Sequence, residues 1–325
     1  MTTRALTIAL TILLLAVFGP ALGAQQDRLD LEETPAVVTE TGERGAHWVA
    51  RDGSRLPFTD DAALLAYLKT ARVVEWKPVG KGISKPKRLV LEKDGIRARA
   101  VYHDIRIRKT RQRLSSGELV MFFRDSYENN IAAYKLSRLM GLTTVPPATL
   151  RRVEGKYGSV QLWIEGSHDE EERRRRGAED ALPILVRRSI ADMWVFDNLI
   201  NNTDRNQGNM LYDSGGAFWW IDHTRAFARG DRLLNPERIN RCSRSMRAAL
   251  EGLDQAAVKE RLGSYLNKSE IKSLFRRRDS LLELLEEKIA SLGETRFLFS
   301  YADPDDSVSV SYGETDIPEA SGSEG

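Results

Sequence analysis

The chain has almost no cysteine, no long apolar run and little net charge. Cys242 is the only cysteine among 325 residues, so no disulfide can form within the chain; we expect a buried, unreactive thiol. No stretch of 18 apolar residues occurs, the length that indicates a membrane-spanning helix. The formal net charge is +2, from 49 basic and 47 acidic residues, so no overall field favours nucleic acid or a membrane surface.

A short apolar run stands near the beginning of the chain. Residues 5–18 follow Arg4 and are almost all apolar, and small residues including Gly23 and Ala24 come after them. As a helix this run spans about 21 Å, short of a bilayer core of about 30 Å. The layout predicts a signal peptide over residues 1–24, with a retained membrane anchor as the alternative. We therefore expect the folded part to be exported, either periplasmic or secreted.

The rest of the chain divides into four regions by composition and pattern. Residues 25–70 read as a polar leader that ends in a short helix. Residues 71–147 carry strand patterns and then one helix, and residues 148–296 are mainly helical with one hairpin. Residues 297–325 are acidic and contain no basic residue, which predicts a disordered tail. We predict an α+β, bilobal fold with a strand-rich N-lobe and a mainly helical C-lobe.

The most informative segment links a long predicted helix to a predicted hairpin. It reads Thr203-Asp204-Arg205-Asn206-Gln207-Gly208-Asn209, and Ile221-Asp222-His223 follows the hairpin. A carboxylate that accepts a hydroxyl proton, with a carboxamide and a second carboxylate that hold a divalent metal, is the polar inventory of phosphoryl transfer. We predict Asp204 as the catalytic base and Asn209 and Asp222 as metal ligands. The alternative is that Asp204 and Asn209 only cap turns and Asp222 only ends a strand.

These motifs resemble the catalytic and metal loops of atypical kinases. The matching runs are residues 202–209 and 220–227, with residues 130–136 and 141–147 upstream. The resemblance is to secretory-pathway kinases of the four-jointed and Golgi casein-kinase family, and to HipA-type and phosphatidylinositol 3- and 4-kinases. It covers roughly residues 75–290 and points to a bacterial exported branch of that superfamily. It implies a protein-kinase-like fold, ATP with Mg²⁺ or Mn²⁺, and the same roles for the three motif residues.

The resemblance also predicts nucleotide contacts in the N-lobe. Gly80 and Gly82 fall in the loop expected to cover the phosphates, although a plain hairpin turn is the alternative. His103 stands where the family pattern has a lysine for the α- and β-phosphates, and Asn130 stands where it has the glutamate that pairs with this lysine. We count Gly80, Gly82, His103 and Asn209 as the predicted nucleotide-binding residues.

The sequence thus predicts an exported, metal-dependent, kinase-like phosphotransferase. It would move the γ-phosphoryl group of a nucleotide to a hydroxyl of a protein or glycan, and we expect neither a nucleic-acid partner nor an integral membrane domain after signal cleavage. Lys81, Lys109 and Arg124 are alternative cations for the nucleotide. His103 and Asn130 leave open a catalytically silent pseudokinase that binds a partner. A nucleotidyl transferase on the same fold would use the same metal residues.

Overall fold

The computed structural model describes residues 48–80, 85–113, 119–177 and 182–303. Its strands are β1 (Arg72–Pro78), β2 (Lys87–Lys93), β3 (Ile96–His103), β4 (Arg106–Arg108), β5 (Arg111–Arg113), β6 (Leu119–Met121), β7 (Arg124–Ser126), β8 (Ala148–Val153), β9 (Lys156–Leu162), β10 (His168–Asp169), β11 (Met210–Tyr212), β12 (Phe218–Trp220), β13 (Cys242–Ser243) and β14 (Leu298–Phe299). Its helices are α1 (Asp61–Thr70), α2 (Tyr127–Leu139), α3 (Glu170–Arg175), α4 (Ile184–Ile200), α5 (Arg244–Glu251), α6 (Gln255–Leu262), α7 (Lys268–Leu292) and α8 (Glu294–Phe297).

A five-stranded antiparallel sheet organises the N-lobe. Its strand order is β1-β2-β3-β9-β8. Because side chains alternate along a strand, Leu89 of β2 and Ala100 and Tyr102 of β3 lie on one buried face. Helix α1 packs against this apolar cluster, and the Tyr67 hydroxyl donates to the Leu91 carbonyl oxygen at 2.8 Å. The opposite face of β3 carries Arg99, Val101 and His103 in alternation with the buried residues.

Two segments predicted to lie outside the fold are partly packed within it. Trp48 is buried in the N-lobe cluster, so residues 48–70 belong to that lobe although the predicted leader is polar on average. Residues 297–299 are predicted to belong to the acidic tail, but they are apolar and buried. Strand β14, which contains two of them, pairs in parallel with β13. A few apolar side chains decide burial more strongly than mean composition does. The predicted signal peptide, the leader up to residue 47 and the tail from residue 304 lie outside the described residues.

The C-lobe is built around α4. Apolar residues at helical spacing predict a helix over residues 184–200, and α4 has these bounds. The spacing of Asn267 and Glu270 predicts a capping box, and α7 begins with one. Cys242 is fully buried, and this burial raises the pKa of its thiol well above the ordinary value. Among the residues that the structure describes, no helix is both long and apolar enough to cross a membrane.

The β11–β12 hairpin joins the two apolar cores. Adjacent strand residues point to opposite faces, and Trp219 therefore packs in the N-lobe cluster, with its ring 5.5 Å from that of Trp48. Trp220 packs in the C-lobe core, with its ring 5.6 Å from that of Phe196. The segments before and after this hairpin, which carry the predicted site residues, consequently lie where the two cores meet.

Candidate active site

The segment from α4 to the hairpin is a tightly bonded loop. Helix α4 ends at Ile200, and Asn201 takes the left-handed conformation that commonly closes a helix. Asn202 then turns the chain back, because its backbone N–H donates to the Asp197 carbonyl oxygen at 2.9 Å and its side chain donates to the Asp197 carboxylate at 2.9 Å. This turn places Asp204 immediately beyond the end of α4.

Arg205 holds this loop and the hairpin together. Its guanidinium donates two hydrogen bonds to the buried Asp197 carboxylate, at 2.6 and 3.0 Å. Nη1 donates to the carbonyl oxygens of Asn209 and Ile221 at 2.6 and 3.0 Å, and Nη2 lies 3.0 Å from Nε2 of His223. This role of Arg205 was not predicted, although the sequence shows an aspartate near the end of the predicted helix and an arginine beside the predicted base.

His223 supports the loop. It is fully buried, and burial together with the nearby Arg205 charge lowers its pKa well below the ordinary value. The imidazole is therefore neutral, and because Nε2 faces a guanidinium donor it accepts a hydrogen bond and the proton resides on Nδ1. The side chain is thus engaged with Arg205 at the nitrogen that a metal would otherwise use.

Asp204 and Asn209 are hydrogen-bonded to each other, and Asp222 directly follows a residue that is hydrogen-bonded to Asn209. The Asn209 side-chain amide donates to the Asp204 carbonyl oxygen at 2.8 Å, and the Asn209 carbonyl oxygen accepts from the Ile221 N–H at 3.2 Å. Asp222 follows directly, in the left-handed conformation with φ of 50°. One of its carboxylate oxygens accepts from the N–H and the hydroxyl of Thr224, at 3.3 and 3.0 Å.

This cluster offers donors that fit a hard divalent cation. The bond from the Asn209 amide nitrogen turns the amide oxygen away from the Asp204 carbonyl, and Asp222 keeps a second carboxylate oxygen beside the one that Thr224 engages. One carboxylate and one carboxamide suit Mg²⁺ or Mn²⁺ bound together with nucleotide phosphates. Within the described ranges, no group of three or more His, Cys, Asp or Glu side chains is placed to hold a metal ion.

Asp204 has the electrostatic setting of a proton acceptor. Burial raises its pKa, Arg225 opposes this, and the Asp222 and Asp125 carboxylates add to the rise, which brings the pKa to about 6. Arg225 lies 3.4 Å from the Asp204 carboxylate and 3.2 Å from that of Asp125. A carboxylate with this pKa is ionised at neutral pH and holds a proton more readily than an ordinary aspartate, which favours general base catalysis.

The predicted nucleotide contacts of the N-lobe lie apart from this cluster in the chain. Gly80 follows β1 in the connection to β2 and has a positive φ of 33°, and Gly82 lies outside the described residues. His103 ends β3, is 4% exposed and is opposite Ser159 of β9. Its Nδ1 and the Ser159 hydroxyl have no hydrogen-bond partner in the part of the chain that is described. The assignment of these residues to a nucleotide stays a prediction.

Arg124 is occupied elsewhere and does not replace the expected lysine. It is buried, and its guanidinium forms ion pairs with the carboxylates of Glu128 and Glu270 at 2.9 and 2.8 Å and donates a hydrogen bond to the Tyr265 carbonyl oxygen at 2.8 Å. Lys109 donates to the Gln112 side chain at the surface. Of the alternative cations considered from the sequence, both that the structure describes therefore have other partners.

No protein-family model and no curated protein matches the chain, but solved structures do. It is similar to a structure of hydra Fam20 with sugar, with 14% identity and a TM-score of 0.55 over 74% of this chain and 92% of that one. It is also similar to the Golgi casein kinase, with 15% identity and a TM-score of 0.56 over 87% and 90% of the two chains. The Golgi casein kinase with Mn/ADP bound gives 16% identity and a TM-score of 0.54 over the same shares. The predicted α+β, bilobal kinase-like fold is thereby confirmed.

Proposed function

We propose that the chain is an exported, metal-dependent kinase-like phosphotransferase. The observation that carries this proposal is the direct hydrogen-bond connection among the Asp204, Asn209 and Asp222 segments, at the junction of the two lobes of a kinase-like fold. The similarity to a Golgi casein kinase structure with Mn/ADP bound supports a nucleotide and a divalent metal. The sugar in the hydra Fam20 structure keeps a glycan among the candidate acceptors, beside a protein. Export follows from the signal peptide predicted over residues 1–24.

In this proposal each residue has a separate task. Asn209 and Asp222 hold the metal, and a bound Mg²⁺ or Mn²⁺ supplies charge neutralisation at the phosphate oxygens. The Asp204 carboxylate would accept the proton of the acceptor hydroxyl as the hydroxyl oxygen attacks the γ-phosphorus. The bond from the γ-phosphorus to the β,γ-bridging oxygen would break, and the nucleoside diphosphate would leave with that oxygen. Arg205 keeps the loop and the hairpin in register, because it bonds the carbonyl oxygens of both.

A catalytically silent binding protein is the second candidate, and a specific contact favours it. Arg225 lies within ion-pair distance of the predicted base, and this pair would have to loosen for Asp204 to meet an acceptor. His103 and Asn130, in place of the charged pair of the family pattern, favour the same reading. A nucleotidyl transferase would use Asn209 and Asp222 in the same way and differ in which group is transferred.

Thermal unfolding of the purified chain tests the proposal. ATP with Mn²⁺ or Mg²⁺ should raise the melting temperature by several degrees, since a ligand at about 100 times its Kd adds ~2.7 kcal/mol to the stability. Asp222→Ala should lose this shift. Asp231→Ala removes an exposed carboxylate of the same lobe and is the matched control that should keep it.

The next measurement separates the three activities. Intact-mass analysis of acceptors incubated with ATP and metal should show the gain of a phosphoryl group with the wild-type chain and none with Asp204→Asn, which should still be stabilised by the nucleotide. Gain of a nucleotidyl group would establish the transferase alternative, and stabilisation without any mass gain would favour the silent binding protein. No stabilisation by any nucleotide contradicts both enzyme readings.

A further inference from the structure

The start of helix α2 is bonded to the backbone of the segment that contains Asp222. We call residues 222–226 the metal loop. Two neighbouring asparagines of α2 and the two residues just before the helix make these contacts. Asn130 Oδ1 accepts a hydrogen bond from the His223 N–H at 2.7 Å, and Asn129 Nδ2 donates to the carbonyl oxygens of Thr224 and Ala226 at 2.6 and 2.8 Å. The Ser126 N–H donates to the Thr224 carbonyl oxygen at 2.9 Å, and Asp125 forms an ion pair with Arg225 at 3.2 Å.

Two adjacent, fully buried asparagines are an unfavourable choice for the inside of a helix. Asn129 and Asn130 are both 0% exposed, while Ile131, Ala132 and Ala133 after them pack in the C-lobe core. Asparagine is a weak helix former, and burying an amide costs free energy unless it finds hydrogen-bond partners. The partners that these two amides find are backbone groups of the metal loop. Their presence in α2 is therefore explained by that loop rather than by the helix.

The bond made by Asn130 acts directly on the conformation of Asp222. The peptide plane between Asp222 and His223 contains the His223 N–H, so the direction of that N–H determines ψ of Asp222. Asp222 has a positive φ, which is uncommon for a residue other than glycine. Asn130 Oδ1 fixes the plane on the C-terminal side of this residue, and the Ile221 N–H to Asn209 bond fixes the chain on its N-terminal side.

We propose that Asn130 is a positioning residue for Asp222, and that through it α2 sets the geometry of the metal site. This rests on the proposed function, in which Asp222 binds the metal. Asn130 keeps an acceptor oxygen at the position where the resemblance expects a glutamate, but without the charge.

Mn²⁺ affinity in the presence of saturating ADP, read from the electron paramagnetic resonance signal of free Mn²⁺, tests the proposal on the full chain. Asn130→Ala removes the acceptor, and we expect about 10–100-fold weaker Mn²⁺ binding, the usual effect of losing a partner that orients a metal ligand. Asn130→Asp keeps an acceptor oxygen and should bind Mn²⁺ close to wild type. Ser137→Ala is the matched control, because Ser137 is equally buried in α2 and its hydroxyl donates to Tyr134 within the helix.

Each outcome decides the matter. Asn130→Ala binding as tightly as Ser137→Ala would overturn the proposal and leave the proposed function standing. If Asn130→Ala does not fold, the near-isosteric Asn130→Asp decides instead: tenfold weaker binding by a folded Asn130→Asp chain would show that the acceptor oxygen is not what matters. A wild-type chain that binds no Mn²⁺ with ADP would overturn the proposed function, and this inference with it.

Discussion

Replacing Arg205 with methionine should destabilise the fold severely, although the residue lies in a loop. The side chain is 2% exposed, and the side chain of Asp197, its ion-pair partner, is 3% exposed. Methionine fills a similar volume but supplies no donor. The Asp197 carboxylate would keep only the Asn202 amide, 2.9 Å away, and the Ile221 carbonyl oxygen would lose its bond at 3.0 Å.

The magnitude follows from the buried charge. Removing one member of a buried ion pair costs about 3–5 kcal/mol because the other charge stays buried and unpaired. A lost hydrogen bond to a carbonyl oxygen adds about 1 kcal/mol. The expected loss of about 4–6 kcal/mol is a large share of the ~5–15 kcal/mol by which a domain is stable. Arg205→Lys keeps the charge but not the two-pronged geometry, so it should fall between wild type and Arg205→Met.

Urea unfolding measures this loss as a shift of the midpoint at constant m-value. Arg276→Met is the control, because it breaks an exposed pair with Asp231 and should cost no more than about 1 kcal/mol. The double variant Asp197→Asn with Arg205→Met removes the unpaired charge and should recover more than half of the loss. A cost for Arg205→Met equal to that of the control would refute the view that Arg205 organises the site.

Two further predictions concern groups away from the site. Burial raises the pKa of Asp192 to about 6, so the folded state binds its proton more tightly than the unfolded state. Stability should therefore rise as pH falls from about 6 to about 4, by ~3 kcal/mol for two pH units; in urea titrations Asp192→Asn should lose this component, and equal pH slopes in the two chains would exclude it. Trp48→Ala should lower the free energy of unfolding by about 3–5 kcal/mol, because Trp48 packs against Trp219. A loss below about 0.5 kcal/mol would show that residues 48–70 do not contribute to the folded N-lobe.

Local patterns predicted much of the fold. The bounds of α4 follow from apolar residues at helical spacing, and the β11–β12 hairpin follows from a turn between two short apolar runs. The convergence of Asn209 and Asp222 could also be predicted, since a hairpin brings its two ends together whatever surrounds it. These features depend only on residues close to each other in the chain.

Contacts between distant segments could not be predicted in the same way. The bonds from Asn129 and Asn130 to the metal loop join residues 93 to 97 positions apart. The spacing of apolar residues does not indicate which backbone group a buried amide will bond. The resemblance indicated only that Asn130 stands where the family pattern has a glutamate. The packing of Trp48 could not be predicted for a related reason. A single aromatic residue in a polar segment forms no periodic pattern, so the sequence does not indicate which residue it packs against.

The missing glutamate has less consequence than the family pattern implies. Glu128, in the first turn of α2, forms ion pairs with Arg106 and Arg108 of β4 at 2.9 and 2.7 Å and with Arg124 of β7 at 2.9 Å. Burial would raise the pKa of Glu128, yet these three guanidinium groups hold it below the ordinary value, so the carboxylate is charged and paired. Helix α2 is therefore anchored by charge to the N-lobe strands, and by Asn130 to the metal loop. Both anchors exist without a glutamate at position 130, so the placement of α2 does not depend on that residue.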